Sequence, residues 1–514
     1  GMQQSGSTGT AYGYIVSHEL PNIKGLLAEA QLKFEEEEEL PLLLSPMFKD
    51  GMVLQRGGCK VFGKAGNTQV TVTVTGYDPV QVTCENGDWA AELDLAASAD
   101  PVTVTVSTGK GESITIENVL IGEVWFASGQ SNMDYNVQQM TGETLEKLQQ
   151  ADYSNIRFNK RSMYSSFEAV ERYGDSWTVP TGFDSIKDQS AFAACFAVAL
   201  AQSLEEKEGQ PVPVGIVSAA VGGSGIEQWM SKESIESAGS RIDTNAGKYD
   251  TEFYYGMSWS VKDYTFRGLL WYQGEDNIYA PELYKKQFNY YLQDMRALFG
   301  DDDLPVLVIQ LPQYNMIEWA QFRQTQWELS QENENVYTVV GIEYGEINDI
   351  HPTKDKYPFA ERASGIAIYG DESAPSNSPY PALCYIEGES LIVELSDSEG
   401  LHTLYNRKTD GFELQIDGEW VAASPAVIND MLVFTGYEGT PTAVRYFYLA
   451  NTKDYEAGFN YVYNEDNMPL SPFIFDVGEK QFAVTIDAGE GSVSVGGALS
   501  VVKGAKVTFS VVPR

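Results

Sequence analysis

The residues best suited to chemistry lie between Ile121 and Met133, IGEVWFASGQSNM. An apolar, β-prone run (Val124, Trp125, Phe126, Ala127) reaches the small-residue turn Ser128-Gly129-Gln130 and delivers Ser131 where a strand should end and a helix begin. A serine so placed is exposed, lies near free backbone N–H groups and can act as a nucleophile. It can equally be a helix N-cap that satisfies an orphan amide. Acyl transfer from an ester needs more than a hydroxyl: a base, a group to orient the base, and donors for the oxyanion. The chain has three histidines. His18 lies in an unassigned N-terminal stretch and His402 in the β-rich segment GLHTL, which leaves His351 as the candidate base. It sits 220 residues beyond Ser131, so only a fold can bring the two together.

GQSNM after a buried strand resembles the nucleophile block of the SGNH hydrolases, and specifically of the sialate O-acetylesterase family. LSPMFKDGMVLQR (Leu44 to Arg56), VPVGIVSAAVGGSGIEQWMS (Val212 to Ser231), RGLLWYQGEDN (Arg267 to Asn277), NDIHP (Asn348 to Pro352), AVRYFYLAN (Ala443 to Asn451) and LSPFIFD (Leu470 to Asp476) resemble that family's successive blocks in order. The resemblance spans Pro41 to Asp476. It implies a serine esterase in which Ser131 attacks and His351, in the DIHP block, is the base. The wider SGNH pattern places Asp three residues before that histidine, where this chain has Asn348. Asp349 is then the candidate orienting acid, with a backbone carbonyl and a Ser-His dyad as the alternative.

The oxyanion donors expected are the backbone N–H of Ser131, an amide from Gly222-Gly223, where no side chain intervenes, and Gln273, which stands where many SGNH hydrolases carry Asn. Read without the resemblance, Gly-Gly is a tight turn and Gln273 an ordinary polar residue at a strand end. Gln130 and Asn132 flank the serine and would bind substrate or brace the turn. Glu227, Trp229, Trp271 and Glu275 should border the pocket; the tryptophans would stack on a sugar face or simply pack.

The implied substrate is an O-acetylated carbohydrate, first of all 9-O-acetylated sialic acid. Acetylated xylan or another glycan, or a carbohydrate-binding protein without turnover, are the alternatives. No metal or organic cofactor is implied, and scattered histidines without HxH or HExxH spacing speak against a metal hydrolase.

The elements that must position these residues follow from pattern. Residues 1–40 are unassigned, and Glu35 to Glu39 reads as a solvated end or linker. From 41 to 119, alternating runs such as TQVTVTVTGY with regular turn signals predict a β-sandwich. From 120 to 375 strands alternate with helices, the pattern of a three-layer α/β domain of SGNH (flavodoxin-like) type with a parallel sheet. Strands are expected at Asn155 to Asn159, Val212 to Ser218, Gly268 to Tyr272, Leu304 to Leu311 and Val336 to Ile342. Helices are expected at Ala191 to Glu208, Leu283 to Phe299 and Trp319 to Gln331. In the first helix Phe196, Leu200 and Leu204 share a face. Ligands of such sheets bind at the carboxyl ends of the strands, where these motif loops fall. A second β domain should occupy 376–476 and a small β extension 477–514.

Length allows several domains. A net charge of −39 and the lack of a basic cluster exclude nucleic acid as a partner. No apolar run approaches a membrane span. Cys59, Cys84, Cys195 and Cys384 form no CxxC pair and read as buried thiols, although Cys59 and Cys84 share one β domain and could pair. Residues 1–40 show no signal-peptide pattern, and Gly1 before Met2 reads as a residue left by tag removal. The resemblance implies export.

Overall fold

The computed structural model describes residues 2–5, 10–13, 40–84, 87–171, 175–239, 250–345, 348–368, 378–403, 409–448, 460–479, 481–484 and 499–502. Gly1–Pro41 is one unit, in which Met2–Ser5 and Thr10–Gly13 pair as an antiparallel ribbon. His18 and the Glu35 to Glu39 run lie outside the described residues. The second unit, Leu42–Arg514, holds everything below.

Its axis is strand β1 (Ser113–Gly129). The first half of β1 pairs antiparallel with Ser98–Thr108, which continues through Thr68–Val74 to Val80–Cys84. Leu43–Leu44, Gly57–Lys64 and Asp88–Leu95 make a separate three-stranded antiparallel sheet. Asp88–Leu95 alternates strictly, with Trp89, Ala91, Leu93 and Leu95 buried and the residues between them exposed. That is the period-two signature of a strand with one face on the core. The expected domain border at 119/120 falls inside β1. Irregular pairing between Ile116 and Val119, and again between Val119 and Ile121, marks where the strand leaves one partner set for another.

The second half of β1 enters a parallel sheet and is followed by the single helical turn α1 (Ser131–Asp134). The further strands of this sheet and the long helices around it are β2 (Ile156–Lys160), α2 (Ala191–Glu208), β3 (Val214–Ala220), β4 (Gly268–Tyr272), α3 (Pro281–Phe299), β5 (Val306–Ile309), α4 (Trp319–Glu332), β6 (Val336–Val339) and α5 (Lys356–Ile368), with shorter helices at Gly142–Gln150, Lys232–Ser237 and Glu252–Gly256. The strand order is β2-β3-β1-β4-β5-β6, all parallel. The chain passes from β1 to one side of the sheet and later returns to the other, so a crevice opens at the carboxyl ends of β1, β3 and β4.

Local signals explain the helices. The Ser190 Oγ accepts from Ala193 N–H and starts α2, and Gly209 ends it in the left-handed conformation. Pro281 occupies the first turn of α3 and Gly300 ends it in the same way. The structure differs from the pattern reading of α2. Beyond the Phe196, Leu200, Leu204 face, every residue from Ala191 to Leu200 is buried. Phe196 packs edge-on against Trp125 of β1, while Phe192 meets Phe359 of α5. A helix covered on two sides is apolar all round. Helix α5 carries no clear apolar period and was not expected.

Beyond Tyr380 the described strands pair antiparallel: Tyr380–Glu387, Ser390–Ser396, Met431–Phe434 and Ala426–Ile428 in one sheet, Glu419–Ala423, Phe412–Ile416, Pro441–Tyr446 and Phe473–Asp476 in another, and His402–Thr403 with Val462–Tyr463. Their core includes Trp327, Val340 and Ile342, so this region packs on the β6 side of the parallel sheet. Gln481–Val484 pairs with Leu499–Val502, and the rest of the expected C-terminal extension lies outside the described residues. All four cysteines are free and buried. Among the described residues no helix is long and apolar enough to cross a membrane.

Gly129 ends β1 at φ +142°, and a Cβ built there would lie 2.0 Å from the Tyr272 carbonyl oxygen of β4. The two strands can close on one another only without that atom. Gly129→Ala should therefore lower stability by roughly 2–4 kcal/mol, from steric overlap together with an unfavourable φ. The check is a drop in the thermal unfolding midpoint or loss of soluble protein.

Candidate active site

Strand β1 and the turn after it carry Ser131 to the carboxyl edge of the sheet. His351 reaches the same place on the loop between β6 and α5, and its Nε2 lies 2.9 Å from Ser131 Oγ. The imidazole is held flat against the Tyr135 ring, with centroids 4.2 Å apart and planes 19° from parallel. The loop is pinned at both ends. Asn132 Nδ2 donates to the Ile350 carbonyl at 2.8 Å. Thr144 Oγ1 donates to the Lys354 carbonyl at 2.7 Å, and the Thr141 and Thr353 hydroxyls are hydrogen-bonded.

Asp349 is close to His351 but engages its main chain: Oδ1 accepts from the His351 N–H at 2.9 Å. Among the described residues none accepts from the ring Nδ1. Gly222 passes beside the serine, and a Cβ built on it would be 3.6 Å from Ser131 Cβ. Gly223, at φ +71°, borders open space. Among the described residues no acceptor takes the N–H of Ser131 or of Gly222.

The remaining expected residues are brought together, but as supports. Gln273 is fully buried and its Nε2 faces Gln130 Oε1 (3.1 Å), the Ser224 carbonyl (3.2 Å) and Asn277 Oδ1 (2.7 Å). An amide with two hydrogens and three close acceptors has none left for an oxyanion. Gln130, also buried, accepts from the main chain of Gly274 and Asp276 and so braces the turn. Glu227 is held by Asn277 and by Gln287.

Trp229 and Trp271 have no exposed surface, which corrects their reading as sugar platforms. Trp229 Nε1 donates to Ser224 Oγ and Trp271 Nε1 to the Tyr284 hydroxyl; both indoles are core. Neither sugar nor water reaches their faces. Asn132 is fully buried too and cannot touch substrate from beneath the nucleophile. His402 bonds to the Gly400 carbonyl and stacks on Tyr463 within the C-terminal β region.

Two charged groups lie under this shell. Glu275 Oε1 accepts from Asn132 Nδ2 at 2.6 Å, while its buried Oε2 has no hydrogen-bond partner among the described residues. Burial pushes its carboxyl up to about 7. Lys356, the first residue of α5, is 1% exposed, and burial brings its ammonium down to about 8. Sequence reasoning missed Lys356, Tyr135 and Asn277. Tyr135 follows Ser131 by four residues and Lys356 follows His351 by five, but neither spacing is a signal until the loops are folded.

Residues 121–357 match the family model described as carbohydrate esterase, sialic acid-specific acetylesterase. The sialate O-acetylesterase of Mus musculus is 25% identical over 84% of this chain and 93% of its own length. That of Homo sapiens is 24% identical over 88% and 96%. A solved carbohydrate acetylesterase from Xanthomonas citri superposes with a TM-score of 0.73 at 27% identity, covering 84% of this chain and 99% of that one. A hydroxyl and an imidazole in contact at the edge of this sheet, in a chain with such relatives, define a carboxylic ester hydrolase. More narrowly, residues 121–357 are similar to the sialic acid-specific acetylesterases among the carbohydrate esterases.

Burial first, and then the Lys356 charge, hold the His351 imidazolium below the usual histidine value of 6.5, against the opposing pull of Asp349. A lowered value keeps the ring neutral, and able to accept a proton, further into acid. If His351 is the base, the acid limb of the kcat/KM profile should have its midpoint below pH 6.5, read from initial rates between pH 4 and 9.

Proposed function

We propose that this chain is an exported serine esterase that removes O-acetyl groups from carbohydrate, with 9-O-acetylated sialic acid as the first substrate to test. The observation that carries the reading is the 2.9 Å contact between His351 Nε2 and Ser131 Oγ. The parallel sheet, with its crevice at β1, fits an SGNH-type hydrolase domain, and the antiparallel sheets before and after it fit flanking β domains, the first a sandwich. The curated relatives bear the name sialate O-acetylesterase, which supports the acetylated sugar as substrate.

In this mechanism Ser131 Oγ attacks the acetyl carbonyl as His351 Nε2 takes its proton. The oxyanion that forms is met by the backbone N–H groups of Ser131 and Gly222, which have no other acceptor among the described residues. His351 returns the proton to the departing sugar oxygen and the acyl-enzyme remains. Water, activated by the same imidazole, then releases acetate and restores the serine. Asp349 contributes by fixing the loop through the His351 N–H and by its negative charge beside the ring. Gln273 and Gln130 hold the turn that presents the serine.

Ser131→Ala and His351→Ala should each lower turnover of p-nitrophenyl acetate by roughly 10⁴-fold or more. Equal rates in wild type and Ser131→Ala would reject the site. Asp349→Asn keeps an oxygen for the His351 N–H, so its loss should stay under about 10²-fold, whereas an acid holding the Nδ1–H would cost about 10⁴. Acetate release from 9-O-acetylated sialic acid, compared with acetylated xylan, decides the alcohol.

A further inference from the structure

Asn132 has no surface exposed to solvent, yet both polar atoms of its side chain are hydrogen-bonded. Lys356 Nζ donates to Asn132 Oδ1 at 2.8 Å and to its main-chain carbonyl at 3.0 Å. Asn132 Nδ2 donates to Glu275 Oε1 and to the Ile350 carbonyl. The chemistry allows one orientation of this amide. An ammonium can only donate and the Ile350 carbonyl can only accept, so the oxygen must face Lys356 and the nitrogen must face Ile350 and, with it, Glu275. Turned the other way, the side chain would lose these contacts and set N–H against N–H.

The consequence reaches the catalytic pair, because Asn132 follows Ser131 and Ile350 precedes His351. We propose that Lys356 is a positioning residue: by locking the Asn132 amide it couples the nucleophile's turn to the histidine's loop. The inference rests on the Ser131 and His351 reading above.

The surroundings of both groups fit this role. Lys356 Nζ sits over the face of Tyr272, 5.2 Å from the ring centroid, which fills the direction its two hydrogen bonds leave open. The charged or titratable groups that act on it are Glu275 from the loop after β4, Asp349 and Asp355 from the His351 loop, and Cys195 from α2. His351 faces Lys356 from α5, Asp349 from its own loop and the Tyr135 ring from the segment after α1. Lys356 lies beneath Ser131 with no surface toward substrate, so it acts only through other residues.

A purely structural alternative is that Lys356 does no more than balance the buried Glu275 carboxylate. The test compares Lys356→Met, Glu275→Gln and the double variant in the full chain, with kcat, KM and kcat/KM for p-nitrophenyl acetate from pH 4 to 9 and a thermal melt for each. Lys356→Met should lower kcat on the order of 10²-fold with little change in KM, the loss typical of a misplaced catalytic group. Its acid limb should move to higher pH than in the wild type, since a positive charge that disfavours the imidazolium has gone. The double variant buries neither charge and should recover the melting temperature, but not kcat or the position of the limb.

Recovery of wild-type kcat and limb in the double variant, or their retention in Lys356→Met, overturns the proposal. Should Lys356→Met fail to fold, the double variant alone decides by the same two readouts. Ser131→Ala is measured alongside. If that variant keeps activity, the site itself is misread. If it is dead while the lysine variants behave as wild type, only the positioning role is lost.

Discussion

The close approach of β1 and β4 is the constraint on which the site depends. Gly129 lies so near the Tyr272 carbonyl that no side chain fits between them, and the next residue but one is the proposed nucleophile. Because β1 is flanked by β3 on one side and β4 on the other, its last residues touch both loops that follow those strands. Gly222 comes from one loop, and Gln273, Glu275 and Asn277 from the other. The hydroxyl is therefore placed by three strands at once, and its position does not rely on the α1 turn alone.

Beneath that edge the protein buries charge. An ammonium and a carboxylate in a core each cost several kcal/mol to desolvate, and an apolar pair of the same volume would in general be no less stable. What charges add is direction. A carboxylate and an ammonium on opposite sides of one amide leave it a single orientation, and the second hydrogen of that amide points at the loop bearing His351. The same site uses Tyr135 to set the plane of the imidazole.

The motif residues around the crevice divide by burial. Gln130, Asn132, Gln273, Trp229 and Trp271 are all closed off from solvent, and the hydrogen bonds they make go to one another, to main chain and to the side chains of Glu275, Asn277, Lys356, Ser224 and Tyr284. Ser131, His351, Glu227 and Glu275 are half-buried, and the Gly222-Gly223 turn is exposed. A short list of reacting groups on a dense hydrogen-bonded base is what acyl transfer asks of a fold, since a 1 Å displacement of either partner forfeits much of the rate. The long β1 strand extends this rigidity into the preceding β region, where Arg56 pairs with Glu123 of β1 and with Glu208 of α2.

Much of this was legible from residues alone. Strong periods and clear stops fix Ala191–Glu208 and Gly268–Tyr272 within a residue, because a serine cap, a terminal glycine and an unbroken apolar run are local facts. The pairing of Ser131 with His351 was legible through motif order and the scarcity of histidine. Whether Trp229 and Trp271 face solvent or core was not, since an indole in a loop motif has the same letter in both cases and only packing against Phe253 and Tyr291 decides. Lys356 was invisible for a related reason. A lysine in a polar stretch reads as surface, and nothing within reach along the chain reveals that Asn132, 224 residues earlier, would close over it. Local sequence thus determined the elements and the reacting groups; which polar groups are desolvated, and which of their atoms must then find partners, was decided by the distant segments that tertiary structure brings against them.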